Sequence, residues 1–180
     1  MTALKELSQR FASAGRIEAI YLRPARRAEV ESVTRARAEP GLGLIGDRRS
    51  ERRRSGDRAR ARELTLIQAE HVELIGGWLD IPDHDAGRLR RNVVISGLNL
   101  LSARFPFPDG ELEWSLGDEV RLVATGPCDP CSRMEDELGR GGYNAMRGHG
   151  GVTARLTAGG TLRVGDPVRL RGLIHRTDDD

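Results

Sequence analysis

Residues 151–171, GVTARLTAGGTLRVGDPVRLR, read as two or three β-strands joined by tight glycine-containing turns, with Leu162 and Val164 opposed by Val168 and Leu170. Similar short strands recur upstream. ELEW (111–114) and GDEVRLVATG (117–126) continue the pattern, and in the second Val120, Leu122 and Ala124 alternate with polar neighbours. RLRRNVVIS (88–96) carries the run Val93, Val94, Ile95, which predicts a strand buried on both faces, and ELTLI (63–67) predicts another buried strand. Nearer the start, residues 16–23 and 29–37 read as strands that pair across Pro24 to Ala28, the first with Ile17, Ala19 and Tyr21 on one face. Helical segments are short. QAEHVELIGGW (68–78) predicts a helix with Ala69, Val72 and Ile75 inward and Gly76 and Gly77 at its end, Leu98–Ser102 a helical turn, and Ser132–Leu138 a second helix. Repeated strands at turn-rich spacing predict a small barrel with helices tucked against it.

Composition sets the same limits. The 180 residues include 22 Gly and 8 Pro with only 4% aromatics, which disfavours coiled coils and helical bundles. A chain of this length forms one core that buries roughly two thirds of its unfolded surface. The expected organisation is an N-terminal extension over 1–15, a barrel domain over 16–172 and a polar tail over 173–180. Apolar runs such as Asn92–Leu101 are interrupted too soon to span a bilayer, and MTALKELSQRF lacks the pattern of a secretory signal, so a cytoplasmic protein without a membrane partner is expected.

Charge is uneven. Eight arginines lie between Arg48 and Arg62 against Glu51 and Asp57, a run without apolar periodicity that predicts a mobile loop over about 48–61. It lacks interleaved aromatics and any nucleic-acid-binding motif, so no nucleic-acid partner is expected; following Gly46-Asp47-Arg48, it reads as a surface steering an anionic ligand. Arg90, Arg91 and Asn92 open a buried-looking strand, where a guanidinium needs an anionic or hydrogen-bond partner, a structural Asp or Glu as readily as a ligand.

Chemistry concentrates in GPCDPCSRMEDEL (126–138). Cys131 directly precedes a predicted helix and is followed by Arg133, and both features favour a thiolate over a thiol of ordinary pKa about 8.5. Such a sulfur serves as nucleophile, persulfide carrier or soft metal ligand. With Cys128 it can also form half a zinc site, a reversible dithiol or a pair of packing residues, and a zinc site would find only His149 nearby as a third ligand. In the absence of export signals a disulfide scaffold is disfavoured. The glycine-rich GRGGYNAMRGHGG (139–151) matches no phosphate-loop pattern. Its glycines either admit backbone amides to an anion, with Arg147 and His149 close by, or merely turn a connector.

Five blocks occur in order: GLIGDR (43–48), LTLIQAEHVELI (64–75), LRRNVVISGLNLL (89–101), LGDEVRLVATGPCDPCSRM (116–134) and GHGGVTARLTAGGTLRVGDPVRL (148–170). Their succession, from about Gly41 to Leu170, resembles the MOSC domain, the module similar to the C-terminal part of molybdenum cofactor sulfurases. The resemblance implies a mainly β, closed barrel of the pyruvate-kinase-barrel type, molybdenum cofactor as ligand, and a cysteine that carries sulfur or ligates molybdenum. Cys131 stands at that position, with Cys128 an additional thiol. The candidate contacts to the cofactor are Asp47, Arg48, Arg91, Asn92, Arg133, Arg147 and His149. Two activities follow from the resemblance: sulfur handling through a Cys131 persulfide, or reduction of N-hydroxylated compounds. Sulfur is expected from a partner such as a pyridoxal-phosphate-dependent cysteine desulfurase, and electrons from an electron-transfer protein. A non-catalytic dithiol binding module is the reading outside the family.

Overall fold

A computed structural model describes residues 2–50, 62–81 and 85–175. The chain begins with helix α1 (Thr2–Leu7) and enters strand β1 (Gly15–Leu22), which pairs with the short β2 (Glu31–Val33) in the register Ile20↔Val33. At Thr34 the path leaves that partner. Strand β3 (Arg35–Glu39) instead joins β4 (Gly43–Leu44) and β10 (Gly160–Arg163) in a separate three-stranded sheet. The segment expected as one strand over 29–37 is therefore divided between two sheets.

Strand β5 (Leu64–Gln68), helix α2 (Ala69–Trp78) and strand β6 (Val93–Ser96) form a parallel crossover, Leu66 facing Val93. The remaining barrel pairings are antiparallel, through β7 (Gly110–Leu116), β8 (Val120–Pro127), β9 (Val152–Ala158) and β11 (Pro167–His175). The circuit β1–β6–β5–β9–β8–β7–β11 returns to β1 at Gly15↔Val168 and closes a seven-strand barrel. Closure removes the barrel's free edges, where unpaired backbone groups would otherwise be exposed. The expected barrel is thus present, in a single mainly β domain with few short helices. Among the described residues no helix is long and apolar enough to cross a membrane.

Two apolar clusters follow from the alternation of strand side chains. Leu64, Leu66, Val93, Ile95, Trp114, Leu122 and Ala154 fill the barrel. Ile67 and Val94, on the opposite faces of their strands, join Tyr21, Val72, Ile75, Leu89, Met134 and Met146 beneath the helices. The Val93–Ile95 run is thus buried on both faces as expected. In β1 the register shifts between Ile17 and Ala19, which places Ile17 and Ile20 in the barrel and Tyr21 outside it. A bulge moves every later side chain to the other face, so the single face expected for Ile17, Ala19 and Tyr21 is not formed. The final segment differs too: Leu162 lies on β10 in the small sheet and Val168 on β11 in the barrel, so the two strands do not pair as a hairpin. Helix α3 (Arg133–Leu138) follows Ser132 as expected, and a further helix α4 (Gly142–Met146) forms in the stretch read as irregular.

Candidate functional site

Strand β6 is preceded by Arg90, Arg91 and Asn92, and each residue faces different surroundings. Asn92 is 1% exposed and its side-chain amide is fully engaged. Its Nδ2 donates to Asp47 Oδ2 at 3.0 Å and to the Tyr21 carbonyl at 3.2 Å; its Oδ1 accepts from Arg23 Nη2 at 2.9 Å and from Thr65 Oγ1 at 3.0 Å. Asp47, equally buried, also accepts from Arg23 Nε at 2.7 Å. Burial alone would push the Asp47 carboxyl up. The hydrogen bond and charge of Arg23, with the backbone N–H groups of Arg49 and Arg23, outweigh it and hold the carboxyl below its ordinary range. Asp47 and Asn92, expected as ligand contacts, thus spend their side chains inside the protein, and Arg23, the third member of this lock, was not singled out in the sequence.

Arg91 extends to the thiols. Its guanidinium donates to the carbonyls of Gly150 at 2.7 Å, Leu89 at 2.9 Å and Cys128 at 2.8 Å. The group is buried, and burial, the largest influence, pulls its pKa down; the interaction with Cys128 and then Cys131 favours the charged form, while Arg23 and Arg62 oppose it. Among the described residues no carboxylate bonds this guanidinium. The cation is thus held against the backbone of the cysteine turn, whose two thiols, one buried (Cys128) and one exposed (Cys131), are both free.

Glycines make this approach possible. A Cβ on Gly150 would stand 2.4 Å from the Cys128 carbonyl oxygen and 3.0 Å from Arg91 Nη2. Gly151 adopts φ +84° with its Cα against β5, where a Cβ would meet the Leu66 carbonyl at 1.9 Å. The backbone of 150–151 is thus pressed between the cysteine turn and the barrel wall, a position only glycine fills without displacement.

Around this centre lies an excess of guanidinium. Arg48 donates its backbone N–H to the Arg23 carbonyl at 2.8 Å, but its buried Nε has no partner among the described residues, and the same holds for Arg90 Nη2. Arg90 is held in a left-handed turn at φ 58°. Its pKa is lowered by burial and then by Arg133, with Arg23 and Arg48 adding repulsion that Glu137 only partly relieves. Arg133, expected to face Cys131, pairs with Glu137 at 2.7 Å. Residues 51–61 of the arginine run lie outside the described residues, while Ser50 is tied back by its backbone N–H to the Asp47 carbonyl at 2.8 Å.

The glycine-rich stretch brings a second group to the same place. Arg147 is exposed, and its carbonyl lies 3.1 Å from His149 Nδ1. The His149 ring packs edge-on against His71 and Trp78 of α2, at centroid distances of 4.8 and 5.0 Å. Burial and the neighbouring His149 hold the His71 pKa below the usual imidazole value. His71 and Trp78 also escaped the sequence reading, because their spacing of seven on α2 matches an ordinary helical face. Among the described residues no group of three or more His, Cys, Asp or Glu side chains is placed to hold a metal. What these elements offer is two buried guanidinium nitrogens without an acceptor among the described residues, and two free thiols on the turn that Arg91 clamps.

The family model of the MOSC domain matches residues 51–169. Comparison with curated proteins gives no match. Among solved structures, the YUAD protein from Bacillus subtilis is similar at 18% identity and TM-score 0.67, covering 87% of this chain and 94% of that one. YiiM from Geobacillus stearothermophilus is similar at 14% identity and TM-score 0.66, covering 88% and 75%. YiiM from Escherichia coli gives 17% identity and TM-score 0.57, covering 91% and 72%. These structures share the fold.

Proposed function

The chain belongs to the MOSC domain family, and on that premise we propose that it binds molybdenum cofactor and carries sulfur as a Cys131 persulfide, for delivery to a metal–sulfur centre in the cytoplasm. The observation that carries this reading is that two buried guanidinium nitrogens lack an acceptor among the described residues of a domain that also exposes the Cys131 thiol. Arg48 Nε and Arg90 Nη2 are buried donors without partners among the described residues, and such donors are costly unless an acceptor arrives. A phosphate-bearing anionic cofactor satisfies them, so the residues present fit the group. Arg48, Arg90 and Arg91 would hold it, with Asp47, Asn92 and Arg23 fixing the backbone from which they reach. When bound, the cofactor supplies a molybdenum centre with affinity for soft sulfur ligands.

The chain's own step is a sulfur transfer. Cys131, exposed at the start of the turn into α3, attacks the outer sulfur of a donor persulfide. The Cys131 S–S bond forms, the donor's S–S bond breaks, and the donor leaves as a thiolate. A cysteine desulfurase persulfide is the donor class this step requires. The test measures molybdenum and pterin in freshly purified protein, and persulfide after incubation with a cysteine desulfurase and cysteine. Wild type should retain molybdenum and load sulfur at Cys131, and Cys131→Ser should lose the sulfur. Protein that never carries sulfur but reduces N-hydroxylaminopurine with a supplied electron donor would replace sulfur carriage by reduction.

A further inference from the structure

Cys128 has no task in that transfer, yet its surroundings are the more tightly built. Its thiol is buried, its N–H donates to the Gly151 carbonyl at 2.9 Å, and its carbonyl accepts from Arg91 Nη2 at 2.8 Å. Gly150 lies so close beneath that carbonyl that no side chain fits between. Cys131 is exposed, and its carbonyl accepts from the Met134 N–H at 2.8 Å. Pro130 between them has a fixed φ, which stiffens the link. The Arg91 guanidinium, clamped on the carbonyls of Cys128 and Gly150, fixes the backbone of this turn. A held, water-shielded thiol and an exposed one, in C-x-x-C spacing on a turn clamped by Arg91, form the arrangement of a thiol and its resolving partner.

Resting on the sulfur-carrier reading above, we infer that Cys128 discharges the Cys131 persulfide and releases its outer sulfur as hydrosulfide. The Cys128 sulfur, as thiolate, attacks Sγ of Cys131. A Cys128–Cys131 bond forms, the bond from Cys131 Sγ to the outer sulfur breaks, and that sulfur leaves with the electron pair as HS⁻, the proton of Cys128 having passed to solvent. The outer sulfur is reduced, and the cysteine pair is oxidised to a disulfide by the same electron count. Arg91 acts as a positioning residue, holding the Cys128 carbonyl and with it the turn that carries both thiols. An external dithiol reductant then restores both thiols for the next cycle. Sulfur thus leaves the protein as an anionic ligand rather than as an electrophile.

The experiment loads the full chain with a small-molecule persulfide, cysteine persulfide, removes the excess, and follows hydrosulfide in solution and intact mass without added thiol. Wild type should release hydrosulfide in step with loss of the persulfide and gain of a Cys128–Cys131 disulfide in the non-reducing peptide map. Cys128→Ser should keep the persulfide on Cys131 and release hydrosulfide at least about tenfold more slowly until dithiol is added. Release at the wild-type rate from Cys128→Ser overturns the inference and leaves the carrier reading intact. Wild type that forms no Cys131 persulfide overturns both. If Cys128→Ser fails to fold, the wild-type map decides: hydrosulfide release with no intramolecular disulfide rejects the role of Cys128.

Discussion

At the scale of single residues, the site depends on side chains that touch nothing reactive. Asp47 holds Arg23 and Asn92 in a buried network, so Asp47→Ala should cost about 3–5 kcal/mol by leaving the Arg23 charge uncompensated. The pH dependence has a definite sign. Because the folded Asp47 pKa lies below the ordinary carboxylate value of about 3.9, the network stabilises fully above that pH and loses its contribution as pH falls through the folded value. The gap in melting temperature between wild type and Asp47→Asn, measured by calorimetry, should therefore be largest near neutrality and shrink below about pH 4. Gly151→Ala should destabilise by about 3 kcal/mol or more, since the added Cβ meets the Leu66 carbonyl at 1.9 Å in a conformation that already disfavours a side chain. Chemical denaturation of that variant checks the value.

At the scale of elements, α2 links barrel and site. Its inner residues Val72 and Ile75 pack on Ile67 and Val94, and its outer His71 and Trp78 pack on the His149 ring. The folded His71 prefers its neutral form, through burial first and then the charge of His149. A histidine with a depressed pKa contributes stability that is complete above its unfolded value, about 6.5, and is lost as pH falls through the folded one. Thermal melts between pH 7 and pH 5 should show wild type losing more stability than His71→Gln. An equal slope in the two proteins would show that His71 in the folded protein does not titrate below its unfolded value.

At the scale of the whole molecule, closure joins the first and last strands of the barrel. The seam between β1 and β11 has only the register pairs Gly15↔Val168 and Arg16↔Pro167, whereas β11 runs along β7 from Val168 to His175. Without β11, Leu116 and Trp114 on β7 lose their cover and β7 becomes a free edge. A chain ending at Gly165 should therefore lack a cooperative melt and aggregate, which circular dichroism and light scattering measure directly. A cooperative transition in that truncated chain would show that the barrel holds without its closing strand.

The barrel was legible in the sequence because burial imposes local periodicity: Val120, Leu122 and Ala124 alternate, Val93 to Ile95 run together, and glycines mark the turns. Helices over 69–78 and 133–138 were legible for the same reason, and Cys131 stood out by its spacing from Cys128 and its place in an ordered series of blocks. Partnership was not legible. Asp47 and Asn92 read as ligand contacts because the residue that satisfies both, Arg23, is remote in sequence, and only the meeting of β1, β6 and the turn after β4 brings the three together. The bulge in β1 and the division of Leu162 and Val168 between sheets were likewise decided by which strands compete for a neighbour. Local pattern fixes which face of an element is apolar; hydrogen-bond and charge partners are settled by long-range packing, because a buried guanidinium or carboxylate is tolerable only where the complete fold supplies its counterpart.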